Sequence, residues 1–258
     1  MSKPASQSLP HTTSWGKNAI WYDRMIEGQQ GSFQSDLILP NIGRRMKLEK
    51  GHIVVDIACG QGFFCRAFAL GGAKVIGVDI APELIAIAKK KSPMIEYHIG
   101  SSDKLDMLQD AGADRVTLIS ALQNIQNIHG TLAEVARIVK PGGKIYIVMN
   151  HPAFRVPKKS SWGWDEQFHI QYRRVDEYLS ERKIGMQMHP GSDPSDMTIS
   201  FHRPLQSYVK ALEKAGLGIC GLEEWNSNKM SDSGPRAHAE NEARKQIPLF
   251  LFLEVCKI

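Results

Sequence analysis

From residue 52 onward the chain alternates short β-branched runs with helical stripes and glycine stops, and this alternation constrains the fold more than any other feature. Residues 52–57 are a β-branched run, residues 63–70 carry an apolar stripe at Phe64, Ala67 and Phe68, and Gly71-Gly72 stops it. The pattern repeats, with residues 74–80 as strand and 82–91 as helix, Pro82 suiting its first turn and Leu84, Ile87 and Ala88 forming its face. Residues 95–99 and 115–120 add strands, 131–139 a helix, Pro141-Gly142-Gly143 a turn and 144–150 a fifth strand. Strands separated by helices pair through crossovers rather than hairpins, which places a parallel sheet between two helical layers.

The same grammar returns near the C-terminus. Residues 204–215 carry a Leu205, Tyr208, Val209, Leu212 stripe closed by Gly216, and strands follow at 217–225 and 250–255 around a polar, partly helical stretch at 226–248. The expected fold is therefore α/β, a doubly wound, mostly parallel seven-stranded sheet with an inserted lid. Residues 1–50 form an N-terminal helical cap with two short helices around Pro40, residues 51–150 the α/β core, and residues 203–258 a helix and β-hairpin completing the sheet. Residues 151–202 break the alternation, hold two of the chain's five tryptophans and many charges, and read as the inserted lid.

Composition narrows the function classes. With 42% hydrophobic and 23% charged residues over 258 positions, the chain is an ordinary globular protein, neither disordered nor fibrous. Its apolar stretches fall far short of the roughly 18 residues that cross a bilayer, so no membrane partner is expected. The polar N-terminus lacks both the apolar run of a secretory signal and the arginines of a transit peptide. Cys59, Cys65, Cys220 and Cys256 form no C-x-x-C pair, which favours a cytoplasmic location and no zinc site; no other metal-ligand spacing occurs. The net charge of +5 is spread along the chain, so a nucleic-acid partner is not expected.

The chemistry concentrates at the first strand-to-helix turn. There V-V-D-I-A-C-G-Q-G-F-F places Asp56, Gly60 and Gly62 where a ligand can approach the backbone and a helix N-terminus favours negative charge. Asp79 ends the second strand, where an acid can accept hydrogen bonds from both ribose hydroxyls of an adenosine. A nicotinamide cofactor would need G-x-G-x-x-G, but the third position is Cys65, and the Asp56 carboxylate beside the loop repels a pyrophosphate. A cationic amino-acid moiety is compatible with it.

Together these residues resemble a class I S-adenosylmethionine-dependent methyltransferase, closely over residues 50–150 and more loosely beyond. The resemblance implies that Asp56, Ala58, Cys59, Gly60, Gly62 and Phe63 form the first cofactor motif, with Ala58 standing for the usual first glycine and tolerated if its backbone angle is ordinary. It implies Asp79 on the ribose, Ile80 against the adenine, and Ser102 and Asp103 near the adenine amino group. It also implies Ser120, Ala121 and Leu122 beside the methionine end, and Tyr22 over the cofactor carboxylate. The residues after strand four are not N-P-P-Y, and no cysteine follows a proline, which sets aside methylation of base amino groups and of pyrimidine C5.

The acceptor side is read from the residues after strand five, since open α/β sheets bind ligands at the carboxyl edge. Asn150, Phe154, Arg155, Trp162, Tyr172 and Arg173, with Trp164 and Arg174 nearby, combine flat apolar surfaces with cations and suit a planar or anionic small molecule, although such residues also pack ordinary lids. His151 is a candidate general base or a cap for the strand end; His169, His189 and His202 are weaker candidates. The expected function is methyl transfer from S-adenosylmethionine to a small-molecule acceptor, yielding S-adenosylhomocysteine. The alternatives are an RNA or protein methyltransferase and a non-catalytic S-adenosylmethionine-binding regulator.

Overall fold

The protein is described by a computed structural model over residues 13–27, 31–187 and 197–258. Expectations for residues 1–12 and for His189 lie outside the described residues. The N-terminal segment forms α1 (Ser14–Lys17), α2 (Ala19–Glu27), a π-helical turn at Gln34–Ile38 and α3 (Leu39–Met46). Then come β1 (Ile53–Ile57), α4 (Phe63–Leu70), β2 (Lys74–Asp79), α5 (Pro82–Lys91), β3 (Glu96–Ile99) and β4 (Ala113–Ile119). A 3-10 turn at Leu122–Asn124 leads to α6 (Ile128–Ile138) and β5 (Val139–Asn150). After β6 (Ser160–Asp165), β7 (Ile170–Val175), β8 (Arg182–Gln187) and β9 (Met197–His202), the chain closes with α7 (Leu205–Lys214), β10 (Leu217–Trp225), α8 (Ala237–Gln246) and β11 (Phe250–Lys257).

The expected doubly wound, mostly parallel seven-stranded sheet is what forms, in the order β10-β11-β5-β4-β1-β2-β3. β1 pairs in parallel with β2 and β4, β2 with β3 and β4 with β5, whereas β11 runs antiparallel to both β5 and β10. The strand order reverses between β1 and β4, and the crevice at their carboxyl ends is where such sheets accept ligands. The buried strand residues divide by face as the two-residue repeat requires. In β5, Ile145, Ile147 and Met149 join α6 and α7 in one core, through Leu132, Val135, Ala211 and Leu212. Tyr146 and Val148 join the opposite core with Ile42 of α3, Phe64 and Phe68 of α4 and Ile85 of α5. Each fully buried branched or aromatic side chain contributes about 1.5–3 kcal/mol, so neither helical layer is dispensable.

Local chemistry shifted several boundaries. α6 starts three residues before the sequence stripe because Asn127 caps it, its side-chain oxygen accepting from Gly130 N at 3.0 Å. The expected turn at Pro141-Gly142-Gly143 is a bulge inside β5, where pairing with β4 jumps from Ala113–Val139 to Arg115–Lys144. The buried face of α5 is Leu84, Ile85 and Ala88, with Ile87 only half-buried.

Residues 151–202 contain two antiparallel hairpins, β6–β7 and β8–β9, each a two-stranded sheet of its own. At the other end of the chain, charges tie α2 to the core: Lys91 of α5 bonds Asp23 and Glu27, and Arg66 of α4 bonds Glu27. These ties hold Tyr22 over the turn after β1.

Candidate active site

The turn after β1 takes three left-handed residues in five: Ala58 (φ 55°), Gly60 (φ 57°) and Gly62 (φ 79°). Gly62 must lack a side chain for a second reason, since a Cβ there would lie 2.4 Å from the Tyr97 hydroxyl. Ala58 does not have the ordinary backbone angle expected of an alanine in this motif. It sits in a region costing an L-residue about 1–2 kcal/mol, a strain typical of functional turns.

Asp79, only 6% exposed, binds this turn across the sheet. Its Oδ2 accepts from Gly60 N and its Oδ1 from Ala81 N, both at 2.8 Å. Burial pushes its pKa up against the backbone N–H bonds that pull it down. Each carboxylate oxygen has a second lone pair, and Asp79 lines a cavity of about 460 Å³ together with Ala58, Ile80, Ser102 and Asp103. Ile80 is 48% exposed, an apolar surface left open at the end of β2. Ser102 pairs its hydroxyl with Thr131 at 2.8 Å, and Asp103 accepts from Ser101 and Asn127, which hold its carboxyl below the usual range.

A neighbouring cavity, again lined by Ala58 and Asp79, brings in Tyr22, Gly60, Ser120 and Ala121. Tyr22 lies over the turn, its ring edge 3.4 Å from where a Gly60 Cβ would stand. Burial first, then the Asp79 and Asp56 carboxylates, push its phenol far up. Ser120 is a second non-glycine residue at positive φ (55°), and its carbonyl accepts from Gln123 and Asn124.

The structure does not aim every expected residue at these cavities. Leu122 is buried in the sheet core. Asp56, 1% exposed, reaches only a recess of about 20 Å³ that also takes in Cys59 and Phe63. Its Oδ1 accepts from the Thr117 hydroxyl at 2.6 Å and its Oδ2 from the Cys65 thiol at 3.3 Å. Burial pushes its pKa up to about 6 despite those two bonds. Asp56 thus buttresses β1 against β4 and α4, and lies outside the two cavities that Asp79 borders.

Sequence reasoning missed Gln61, which lines the same recess. Its Oε1 accepts from Arg66 at 3.0 Å, which fixes the amide's orientation, and its buried Nε2 has no partner among the described residues. An orphaned buried amide calls for a reason; no spacing in the sequence signals it. Also missed were Ile199 and Phe201 of β9, which line the Asp79 cavity. Arg203 anchors the end of that hairpin to the carbonyls of Ile125 and Gln126 at 3.0 and 2.8 Å. The second hairpin therefore roofs the cavity of Asp79, so residues 151–202 do not act as one unit on the acceptor side.

The first hairpin borders a different cavity, of about 340 Å³, lined by Phe154, Arg155, Trp162 and Arg173. Trp162 and Arg173 face each other in register, and the guanidinium stacks 5.1 Å from the Trp162 ring centre. Tyr172 is excluded, because adjacent strand residues point to opposite faces; it lies exposed over Gly163. Asn150 lines a smaller recess that shares Arg155. His151 is 4% exposed, with Nε2 2.7 Å from Glu224 Oε1 and Nδ1 accepting from Ala153 N at 3.2 Å. Both ring nitrogens are occupied, so the geometry gives His151 the role of strand-end cap and leaves no free lone pair for a general base.

Residues 55–147 match the methyltransferase domain family. A demethylmenaquinone methyltransferase of Chlorobaculum parvum is 34% identical over 146 residues, which is 56% of this chain and 55% of the relative. A ubiquinone biosynthesis O-methyltransferase of Xanthomonas oryzae is 32% identical over 156 residues, 57% of this chain and 64% of the relative. The chain thus spans between about half and two thirds of the length of these relatives. In fold it is similar to the crystal structure of an S-adenosylmethionine dependent methyltransferase from Mesorhizobium loti, with a TM-score of 0.67 and 24% identity over 87% of this chain and 99% of the other.

Proposed function

We propose, from the match of residues 55–147 to the methyltransferase domain family and from the similarity of the fold, that the chain transfers the methyl group of S-adenosylmethionine to a small-molecule acceptor and releases S-adenosylhomocysteine. The observation that carries this reading is Asp79, a buried carboxylate with one spare lone pair on each oxygen, bordering a cavity of about 460 Å³ beside the open Ile80 side chain. That pairing of an acceptor carboxylate with an open apolar face suits a ribose and an adenine. At the other end of the glycine turn, the Tyr22 ring, which borders the second cavity, suits the carboxylate end of the same molecule.

When bound, the donor supplies a methyl group already activated on a sulfonium, so the protein has little bond chemistry to perform. Asp79 and Tyr22 would fix the two ends, the Phe201 hairpin would exclude water from above, and Ser120 would border the reacting edge. An acceptor that loses a proton on methylation can release it to solvent or to a base of its own, since His151 is committed elsewhere.

A small acceptor is favoured by the size of the cavity under the first hairpin, about 340 Å³, which suits one or two rings. The quinone-related names of the relatives are consistent with that class. We assign residues 1–50 to the cap, 51–150 with 203–258 to the α/β unit, and 151–202 to the insertion over both cavities. Four free thiols support a reducing, cytoplasmic setting.

Calorimetry tests the reading directly. S-adenosylhomocysteine should bind and raise the melting temperature, whereas NAD should do neither. Absence of any heat or stabilisation with both S-adenosylmethionine and its demethylated product would refute it.

A further inference from the structure

The cavity under the first hairpin is unusual in its charge. Among the described residues four cations line it, Arg155, Arg173, Lys229 and Arg244, and no acid does. Elsewhere most arginines pair with carboxylates: Arg44, Arg45, Arg66, Arg137, Arg174, Arg182 and Arg236 form ion pairs, while Arg115 and Arg203 donate to backbone carbonyls.

In the cavity Arg244 keeps such a pair, with Glu240 at 3.9 Å, but Arg155, Arg173 and Lys229 have none among the described residues. Arg155 is half-buried on the loop after β5, and its guanidinium has no hydrogen-bond or carboxylate partner among the described residues. Burial and the neighbouring Arg173 both work against its charge. Arg173 donates to the Phe154 carbonyl at 2.9 Å and the Ser160 hydroxyl at 2.8 Å and stacks on Trp162, again without a carboxylate. Lys229 sits 4.7 Å from the Phe33 ring centre, also with no acidic partner among the described residues.

Two guanidinium groups held near one another and away from carboxylates cost free energy unless an anion joins them. Planar forks match a planar carboxylate, and the flat walls from Phe154 and Trp162 match a ring attached to it. α8 turns its C-terminal end to the cavity, through Arg244 and the C-cap residue Ile247, so its N-terminal amides face elsewhere. The match of two planar forks to a planar anion, beside flat walls for a ring, favours an aromatic carboxylate over a tetrahedral phosphate.

The cavity is also well placed. Leu249, which lines it, precedes β11 and pairs with the chain at His151, just past the carboxyl end of β5. β5 is the neighbour of β4, whose end carries Ser120. At about 4.8 Å per strand, the cavity lies on the order of 10 Å from the Ser120 edge of the donor site.

We propose that this cavity binds an aromatic carboxylate as the methyl acceptor, with Arg155 and Arg173 holding the carboxylate and Phe154 and Trp162 flanking the ring. The proposal rests on the methyltransferase reading only for the word acceptor; anion binding in the cavity stands separately. The test therefore measures binding of 2-naphthoate, its neutral isostere 2-naphthamide and 2-naphthyl phosphate to the full chain, with and without S-adenosylhomocysteine.

2-Naphthoate should bind at least about tenfold tighter than the amide, the scale of one charge-assisted contact, and tighter than the phosphate. Arg155→Met should bring the acid-to-amide ratio to within about threefold while leaving the S-adenosylhomocysteine affinity within the same factor. Arg155→Lys should retain part of the preference, which guards against a variant that fails to fold. Equal binding of acid and amide by the unaltered chain, a preference for the phosphate, or a preference unchanged in both Arg155→Met and Arg173→Met would overturn the proposal. Failure of S-adenosylhomocysteine to bind would instead remove the methyltransferase reading and leave the acid-to-amide comparison readable.

Discussion

His151 and Glu224 meet at 2.7 Å between Nε2 and Oε1, and the Ala153 amide takes the other ring nitrogen at 3.2 Å. This pairing fixes the neutral tautomer with its proton on Nε2 and joins the end of β5 to β10. A general base would contribute about 10²–10⁴-fold to the rate, whereas a cap contributes stability. His151→Gln should therefore lower kcat by less than about tenfold, and cost roughly 1–3 kcal/mol in denaturant unfolding because it leaves buried groups unpaired. A loss of kcat above a hundredfold in a folded variant would restore His151 as the base.

Two buried groups give stability opposite pH slopes. Burial lowers the pKa of His151, so the unfolded chain takes up a proton near pH 6.5 that the folded chain resists. Its contribution is complete above that pH and is lost as pH falls through the folded pKa.

Asp56 titrates near 6 when folded and near 3.9 when unfolded. The folded state then holds the extra proton between about pH 4 and 6, and stability falls as pH rises through that window. The full effect is on the order of 3 kcal/mol. Asp56→Asn should remove it, so the variant should gain on the parent between pH 4 and 7 in chemical denaturation, with donor affinity changed by less than about threefold. A parallel pH profile for the two proteins would show that Asp56 is not protonated on folding.

Asp79→Ala should weaken S-adenosylhomocysteine binding by about one to two powers of ten, since two ribose hydrogen bonds to a buried carboxylate are worth roughly 1.5–3 kcal/mol. Gln61→Met should leave it within about threefold, because Gln61 lines the recess beside Asp56 and not the cavities of Asp79, while loss of the Arg66 contact is felt in the melting temperature. Calorimetry on both variants distinguishes binding from folding. Unchanged affinity in folded Asp79→Ala would sink the cofactor assignment.

The two hairpins should separate by mutation. Phe201 lines the donor cavity and Trp162 the other. Phe201→Ala should weaken donor binding about three- to thirtyfold, while Trp162→Ala should leave it within about threefold. Equal effects would mean that the hairpins move as one body over both cavities.

Ala58 at φ 55° occupies a position that glycine adopts without strain. Relief of about 1–2 kcal/mol of strain, less the entropy glycine adds to the unfolded chain, should leave Ala58→Gly about 0.5–1 kcal/mol more stable. Thermal unfolding at one pH checks this, and a destabilised variant would mean that the Ala58 methyl packs productively in the turn.

Period and punctuation were enough to make the sheet legible. Phe64 and Phe68 repeat at helical spacing, Gly71-Gly72 stops the helix, and Pro82 begins the next, all interactions between residues close in the chain. Asp79 and the glycine turn were legible for the same reason, as a strand end followed by a turn is a local signature. Residues 151–202 carried no such signal. Their hairpins are short, and their half-exposed strands mix Trp, Arg, Tyr and Gly without clean alternation.

The sequence by itself determined the doubly wound core, the turn that carries Gly60 and Gly62, and the placing of an acid at residue 79, because each follows from backbone preference and hydrophobic period. Only the tertiary structure decided where individual side chains spend their hydrogen bonds. It turned Asp56 inward to Thr117 and Cys65, committed His151 to Glu224, 73 residues away, and laid Phe201 over the Asp79 cavity while Trp162 faced another. It also left the Arg155 guanidinium without a partner among the described residues. Such choices depend on residues far apart in the chain, whose competition for one another is settled by burial and geometry that no local pattern encodes.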